Sequence, residues 1–195
     1  MEVMQKLPRR LFVPSCAGAD VPDSEAVSLG EHCILPPTDV VGMMLRALHL
    51  EGNERVLEIG CGSGYQAALL GALAREVYSI EIDEQLARDA TERLARLGCS
   101  NVHVLHGDAS AGWPEHAPYQ AIIVSAAASR LPPELIDQLD LGGRLVIPLG
   151  DEHTQLVERI RRRVGGLETE TLGSCHLDML VTPHRTPSSF PWTRA

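Results

Sequence analysis

The chain has 195 residues, of which 44% are hydrophobic and only 4% aromatic, so it can bury a core of Leu, Val, Ile and Ala without disulfide or metal support. Its net charge of −9 argues against a nucleic-acid partner, because phosphate binding requires a basic surface. No leader sequence is recognisable and no apolar run reaches the roughly 20 residues that span a bilayer, so we expect a cytoplasmic protein without a membrane partner.

The cysteines and histidines do not form a recognisable metal-binding pattern. The five cysteines include no Cys-x-x-Cys pair, and the nearest two histidines, His103 and His106, have no third ligand close in sequence. We therefore expect reduced thiols and no metal site.

Residues 1–37 are predicted to form an N-terminal arm and a loop. Three prolines interrupt residues 1–30, which we expect to be irregular. The segment Gly30-Glu-His-Cys-Ile-Leu-Pro-Pro37 then leads into a helix that is predicted to begin with Thr38 as its N-cap and to end near Leu48. That helix would hold the preceding loop next to a ligand.

A glycine loop lies at the centre of the pattern. Residues 55–59 form a short apolar run, Gly60, Gly62 and Gly64 follow, and residues 66–74 are typical of a helix. Glycines let the backbone turn tightly and approach a ligand closely. The spacing is neither that of a phosphate-binding loop nor the Gly-x-Gly-x-x-Gly of a dinucleotide site. A second acid, Glu81, ends the next apolar run, where it could bind ribose hydroxyls.

Strand and helix patterns alternate through the rest of the chain. We predict strands at 77–81, 101–106, 121–124 and 143–149, and helices at 84–97 and 132–139. Two long alternating runs, 154–164 and 167–181, are joined by Gly165-Gly166 and indicate an antiparallel hairpin at the sheet edge. The prediction is a single α/β domain over residues 1–195 with a mostly parallel, Rossmann-like sheet, followed by a tail at 183–195.

Several segments resemble protein-L-isoaspartate (D-aspartate) O-methyltransferases, which belong to the class I methyltransferases. The resemblance covers about residues 10–180. It rests on Arg10-Leu-Phe-Val-Pro14, on residues 56–68 and 77–81, on His106-Gly-Asp-Ala109, on Gly112-Trp-Pro-Glu-His-Ala-Pro-Tyr119, on residues 121–128 and on residues 142–150. The runs at 112–119 and 126–128 are more specific than any glycine loop.

The resemblance implies an enzyme that uses S-adenosyl-L-methionine, with S-adenosyl-L-homocysteine as product, and that methylates an aspartyl or isoaspartyl carboxylate of a protein or peptide. We expect it to act as a monomer. It further implies ribose on Glu81 and adenine near Gly107, Asp108 and Ala109. The full set of cofactor-binding candidates is Glu58, Gly60, Cys61, Gly62, Ser63, Gly64, Glu81, Ile82, Gly107, Asp108, Ala109 and Ser125.

The substrate loop departs from the family pattern. Where the family has a serine whose hydroxyl lies between cofactor and substrate, this chain has Ile34, which cannot donate a hydrogen bond. Glu31 adds a negative charge nearby, and Gln120 replaces a family aspartate. No catalytic residue is therefore assigned.

Three hypotheses remain open at this point. The first is a carboxyl methyltransferase with an altered choice of peptide. The second is a methyltransferase of a small metabolite, for which His32 could be a base or Cys33 a substrate contact. The third is a non-catalytic module that binds adenosylmethionine.

Overall fold

The computed structural model describes residues 2–13, 21–30 and 33–180. The chain begins with a short helix, α1 (Glu2–Lys6), and a 3₁₀ turn at Arg9–Leu11. Two short antiparallel strands follow, β1 (Val27–Gly30) and β2 (Cys33–Leu35). We call this pair, residues 27–30 and 33–35, the N-terminal hairpin. Glu31, His32 and the predicted tail at 183–195 lie outside the described residues.

The prediction that residues 1–30 are irregular is thus wrong for α1 and for β1. Each of these elements is short and, unlike residues 55–59, has no apolar run that leads into a glycine loop to mark it in the sequence. Moreover, β1 exists only because β2 pairs with it, and the register between them shifts at Ser28 and Gly30. Such an irregular pairing has no clear pattern in the sequence.

From residue 38 onwards helices and strands alternate, as predicted. These elements are α2 (Thr38–Ala47), β3 (Arg55–Ile59), α3 (Tyr65–Gly71), β4 (Glu76–Glu81), α4 (Glu84–Arg96), β5 (Val102–His106), β6 (Tyr119–Val124), α5 (Pro133–Gln138), β7 (Leu139–Gly150), β8 (Gln155–Arg163) and β9 (Gly166–Cys175). Two 3₁₀ turns, Ala109–Ala111 and Pro114–His116, lie between β5 and β6. None of the helices in the described residues is both long and apolar enough to cross a membrane.

Seven strands form one sheet in the order β5-β4-β3-β6-β7-β8-β9. Strands β3 to β7 run parallel to one another, whereas β8 and β9 are antiparallel additions at one edge. The predicted mostly parallel sheet with a C-terminal antiparallel hairpin is confirmed. The carboxyl ends of β3, β4 and β6 meet at one edge of the sheet, where α/β proteins bind ligands.

Alternate residues of the central strands enter two different cores, because successive side chains of a strand point to opposite faces. Val56 and Val77 pack with apolar residues of α2, α3 and α4, such as Leu45. Leu57 and Ile80 instead pack on the opposite face with Leu135 of α5. The sheet is therefore covered on both faces, which holds the strand ends in fixed positions.

Two predicted boundaries are wrong for reasons that the hydrogen bonds explain. Thr38 is not the N-cap of α2 but its first residue, and its hydroxyl donates to the Asp23 carbonyl at 2.9 Å. Strand β9 ends at Cys175 rather than near residue 181. Beyond it, the buried Gln155 side chain accepts from Leu177 N at 2.7 Å and donates to Leu177 O at 2.8 Å, so a side chain replaces the next pair of the ladder.

The N-terminal arm is attached to the domain by a buried arginine. Arg9 donates to the carbonyls of Pro22, Glu25 and Leu35 at 3.2, 2.6 and 3.0 Å. Phe12, which is fully buried, packs on the ring of Tyr65 with a centroid distance of 5.2 Å. Since Tyr65 begins α3, the arm presses on the helix that follows the glycine loop.

Candidate functional site

A cleft of about 580 Å³ opens at the carboxyl ends of β3, β4 and β6. Its two walls come from distant parts of the chain. One wall is the glycine loop with the residues after β4, and the other is the N-terminal hairpin with residues 178–180. The described residues that line it are Leu29, Gly30, Cys33, Ile34, Leu35, Pro36, Val41, Gly60, Cys61, Gly62, Ser63, Tyr65, Gln66, Ile80, Glu81, Ile82, Asp83, Gln85, Leu86, Asp89, Ala109, Ser125, Ala126, Asp178, Met179 and Leu180.

The glycine loop has the backbone conformation that its composition predicts. Gly60, Gly62 and Gly64 have φ angles of 88°, 53° and 83°, a region that other residues rarely adopt. A Cβ atom on Gly62 would lie 3.4 Å from Leu29 and 3.6 Å from Cys33. The hairpin therefore lies directly over the loop at Gly62, where even a methyl group would touch it, so a larger side chain at this position would close the gap.

Glu81 lies at the end of β4 with both carboxylate oxygens fixed by the backbone. One oxygen accepts from Gly62 N at 2.7 Å and the other from Asp83 N at 3.0 Å. The side chain is only 5% exposed, yet it lines the cleft. This orientation presents the carboxylate to hydroxyl or ammonium donors of a ligand.

A polar network lies beneath the loop and reaches the cleft at Ser125. Glu58 is fully buried and accepts from the Ser79 hydroxyl at 2.5 Å, while its other oxygen has no partner among the described residues. Burial raises the pKa of Glu58 to about 8, although the Ser79 hydroxyl and the nearby Gln66 amide work against that rise. Gln66 also donates to Ser125 Oγ at 2.6 Å, which leaves the Ser125 hydroxyl proton free to be donated into the cleft.

The N-terminal hairpin places Ile34 and Cys33 at the cleft. Ile34 is half-buried and pairs with Ser28 across the hairpin, so an apolar side chain occupies the position of the family serine. Burial raises the pKa of the Cys33 thiol to about 12, and the negative charges of Glu81, Asp178 and Asp83 add to that rise. Cys33 is therefore a neutral thiol at pH 7, which argues against a role as base or nucleophile.

Most of the predicted cofactor residues line the cleft, and four do not. Those that line it are Gly60, Cys61, Gly62, Ser63, Glu81, Ile82, Ala109 and Ser125. Glu58, Gly64, Gly107 and Asp108 are not among the lining residues. Gly64 is the N-cap of α3, and Asp108 caps the 3₁₀ turn by accepting from Ser110 N at 2.8 Å. Glu58 supports the loop from below.

Sequence reasoning missed Gln66, Asp83 and Asp178 as residues of the cleft. The first two follow a predicted loop and a predicted strand directly, so their positions were a usable signal. The position of Asp178 carried no such signal, because residues 176–180 were predicted to continue β9. Among the described residues, no group of three His, Cys, Asp or Glu side chains is arranged to hold a metal ion.

The run Gly112–Tyr119, which is so specific in sequence, lies away from the cleft. Trp113 N donates to Gln138 Oε1 at 2.8 Å, and the Tyr119 hydroxyl donates to Trp113 O at 2.6 Å. Gln120, the other departure from the family pattern, accepts from Arg55 N at 2.9 Å and donates to Asp140 at 3.0 Å. These residues support the fold at the amino end of β3 and do not touch a ligand in the cleft.

The fold and the site together define a class I methyltransferase dependent on adenosylmethionine. Its features are a mostly parallel sheet, a glycine loop after β3, an acid at the end of β4 and an antiparallel C-terminal hairpin. Comparison with known families is more specific. The family model of protein-L-isoaspartate(D-aspartate) O-methyltransferase (PCMT) matches residues 1–182, and the chain belongs to that family.

Two relatives agree with this assignment. A protein-L-isoaspartate O-methyltransferase of Syntrophus aciditrophicus is 41% identical over 184 residues, which is 93% of this chain and 84% of the relative. Another of Geobacter metallireducens is 42% identical, with the same coverage of both chains. The predicted family is confirmed.

Two solved structures show the fold. A protein-L-isoaspartate O-methyltransferase superposes with a TM-score of 0.79 at 23% identity, over 91% of this chain and 59% of that chain. A Plasmodium falciparum protein described as such an enzyme, in complex with S-adenosyl-L-homocysteine, gives a TM-score of 0.76 at 22% identity, over 92% of this chain and 88% of that chain. The predicted class I fold is confirmed.

Proposed function

We propose that this protein transfers the methyl group of S-adenosyl-L-methionine to an isoaspartyl or aspartyl carboxylate of a protein or peptide. The observation that carries the proposal is the cleft itself. The glycine loop and Glu81 form one wall, the N-terminal hairpin with Ile34 forms the other, and Ser125 also lines the cleft. Such a cleft can hold a cofactor against one wall and an acceptor against the other.

The residues of the first wall fit adenosylmethionine. We infer that Glu81 binds the ribose hydroxyls, that Ile82 and Ala109 contact the adenine, and that residues 60–63 contact the methionine part. Support comes from the fixed Glu81 carboxylate and from the side-chain-free loop, where a Cβ on Gly60 would lie 3.6 Å from Ser125 Cβ. When bound, the cofactor supplies a methyl group on a positively charged sulfur.

The second wall requires no general base for a carboxylate acceptor. A carboxylate is already ionised at pH 7, so the protein needs only to align it and exclude water. The neutral Cys33 thiol agrees with this requirement. A neutral thiol can still contact a small substrate, so Cys33 remains a candidate contact in the metabolite hypothesis, whereas its candidate base His32 lies outside the described residues.

The acceptor carboxylate needs a hydrogen-bond donor, which Ile34 cannot supply. The Ser125 hydroxyl is the candidate, because Gln66 occupies its acceptor side and leaves its proton free. A hydrogen bond to a carboxylate is worth roughly 1.5–3 kcal/mol, or about 10- to 150-fold in rate if it forms mainly in the transition state. Because the hydrogen bond that a serine at position 34 would add is missing, we expect the wild type to be slow on a generic isoaspartyl peptide even with the Ser125 bond in place.

The experiment is a radiolabelled methyl-transfer assay with an isoaspartyl peptide, its aspartyl counterpart and a cell extract. Ile34→Ser should raise kcat/KM for the isoaspartyl peptide by about 10-fold or more. Leu141→Ser, at a residue that is 60% exposed and does not line the cleft, is the matched control. Equal turnover by wild type and Ile34→Ser would show that Ile34 is tolerated. No transfer to anything, despite bound cofactor, would instead support the non-catalytic module.

We infer further that the protein is a cytoplasmic monomer, and that its acceptor is a protein or peptide and not a nucleic acid. The net charge of −9 supports the exclusion of nucleic acid. Light scattering on purified protein tests the monomer, and a dimer mass would contradict it.

A further inference from the structure

Asp178 is held at the cleft by the backbone on both sides. Beyond β9, residues 176–180 cross the carboxyl ends of the strands, where Ala127 N donates to Asp178 O at 2.8 Å and Leu180 N donates to Ala127 O at 2.7 Å. Gln155, only 2% exposed, fixes Leu177 through its backbone N and O. Asp178 therefore cannot move away from the cleft without breaking this crossing.

The carboxylate of Asp178 is not satisfied within the described residues. Its Oδ2 atom is buried and has no hydrogen-bond partner there. Glu81 differs, because both of its oxygens accept backbone bonds. A buried carboxylate oxygen without a donor is unfavourable, and a cationic ligand group beside the same carboxylate, on its cleft side, would offset that cost. Asp178 also faces the hairpin closely enough for its charge to act on Cys33.

The charge of the cleft also favours a positively charged group beside Asp178. Its described lining residues include four acids, Glu81, Asp83, Asp89 and Asp178, but no Lys, Arg or His. Arg93 donates to the Ser63 carbonyl of the glycine loop at 2.6 Å without lining the cleft itself. Bound S-adenosyl-L-methionine contributes one net positive charge against these four acids, so an acceptor carboxylate still meets net negative charge unless a further positive charge accompanies it.

We propose that Asp178 is a specificity-determining residue that selects acceptors with a lysine or arginine next to the methylated carboxylate. The inference rests on the proposed carboxyl methyltransferase function. The cationic side chain would donate to the cleft-facing side of the Asp178 carboxylate while the neighbouring carboxylate faces Ser125. Asp178 would thus recognise the acceptor, whereas Glu81 would bind the cofactor.

The test compares three isoaspartyl peptides that carry Lys, Ala or Glu after the isoaspartyl residue. For the wild type we expect kcat/KM to fall in that order, with a Lys-to-Glu ratio of about tenfold or more. Asp178→Asn should lower this ratio about five- to tenfold, mainly through KM, which is the effect of losing one partly buried ion pair. Asp178→Lys should invert the preference. A ratio is used because any uniform loss of activity cancels.

Asp137→Asn is the matched control, since it makes the same charge change on the exposed surface of α5, outside the cleft. It should leave the ratio unchanged. Peptides that are methylated without regard to charge, or a ratio that survives Asp178→Asn and Asp178→Lys, would overturn the inference and leave the proposed function intact. Failure to methylate any of the peptides while S-adenosyl-L-homocysteine binds would overturn both.

Discussion

Glu58 should make the protein lose stability as the pH rises, and Glu58→Gln should remove that loss. Burial raises the pKa of Glu58 from 4.5 to about 8 in the folded state. Between these two values the folded protein keeps the proton and the unfolded chain releases it. The unfolded state then binds fewer protons, so the free energy of unfolding falls with increasing pH across this window and is constant above it.

The size of the effect follows from the pKa difference. Each pKa unit corresponds to about 1.4 kcal/mol, so the shift from 4.5 to about 8 amounts to on the order of 4 to 5 kcal/mol above pH 8. At pH 7 most of this loss, about 3 kcal/mol, is already present. The glutamine side chain has nearly the same shape and no ionisation, so Glu58→Gln should be progressively more stable than wild type as the pH increases.

The assay is urea unfolding of both proteins at pH 5, 6, 7, 8 and 9. The stability difference between Glu58→Gln and wild type should grow by about 1.4 kcal/mol per pH unit and then level off near pH 8. Thiols such as Cys33 titrate in both proteins, so they cancel in the difference. The control is Glu152→Gln, because Glu152 is exposed on a loop and water surrounds it in both states. A stability difference that stays constant from pH 5 to pH 9 would refute the reasoning.

Three further measurements test Glu81 beside the glycine loop, Gly150 at the end of β7, and Cys33 in the N-terminal hairpin. Glu81→Ala should weaken S-adenosyl-L-homocysteine binding by about 2 to 4 kcal/mol in calorimetry through lost charge-assisted bonds, and unchanged affinity, matching that of the exposed control Glu84→Ala, would contradict this. Gly150→Ala should lower the free energy of unfolding by about 3 kcal/mol or more, because φ is +152° and a Cβ would lie 1.9 Å from a backbone carbonyl oxygen. The control Gly165→Ala, with open space around it, should change stability little, and equal losses in the two variants would be inconsistent with this geometry. Cys33 should resist iodoacetamide at pH 8 and react faster as the pH approaches its pKa of about 12, whereas rapid modification at pH 8, read by mass spectrometry, would show a low pKa.

The parts of the fold that the sequence predicts well are those whose signal is local. Strand β3 is predicted at 55–59 and observed at Arg55–Ile59, because an apolar run that ends in a glycine loop carries its boundaries within itself. Glu81 was found for the same reason, since it ends the next such run. The turn between β8 and β9 was placed within one residue by two adjacent glycines.

The parts that escaped prediction depend on contacts between residues far apart in the chain. Nothing local distinguishes residues 176–180 from a continuing strand, because the end of β9 is decided by the side chain of Gln155. The network that links Glu58 to Ser125 through Gln66 likewise joins three separate elements. Sequence patterns indicate which residues are buried or polar, but not which of them meet.

The two walls of the cleft come from separate segments. The choice of acceptor can therefore change without a change in cofactor binding. The wall with the glycine loop is built from residues 60–63, 65–66, 80–83, 85–86 and 89, whereas the opposite wall is built from residues 29–30, 33–36 and 178–180. A substitution such as Ile34 in the second wall leaves Glu81 and its backbone bonds in place. A chain of this construction can acquire a new acceptor by single exchanges in the hairpin or the crossing segment while it keeps the same methyl donor.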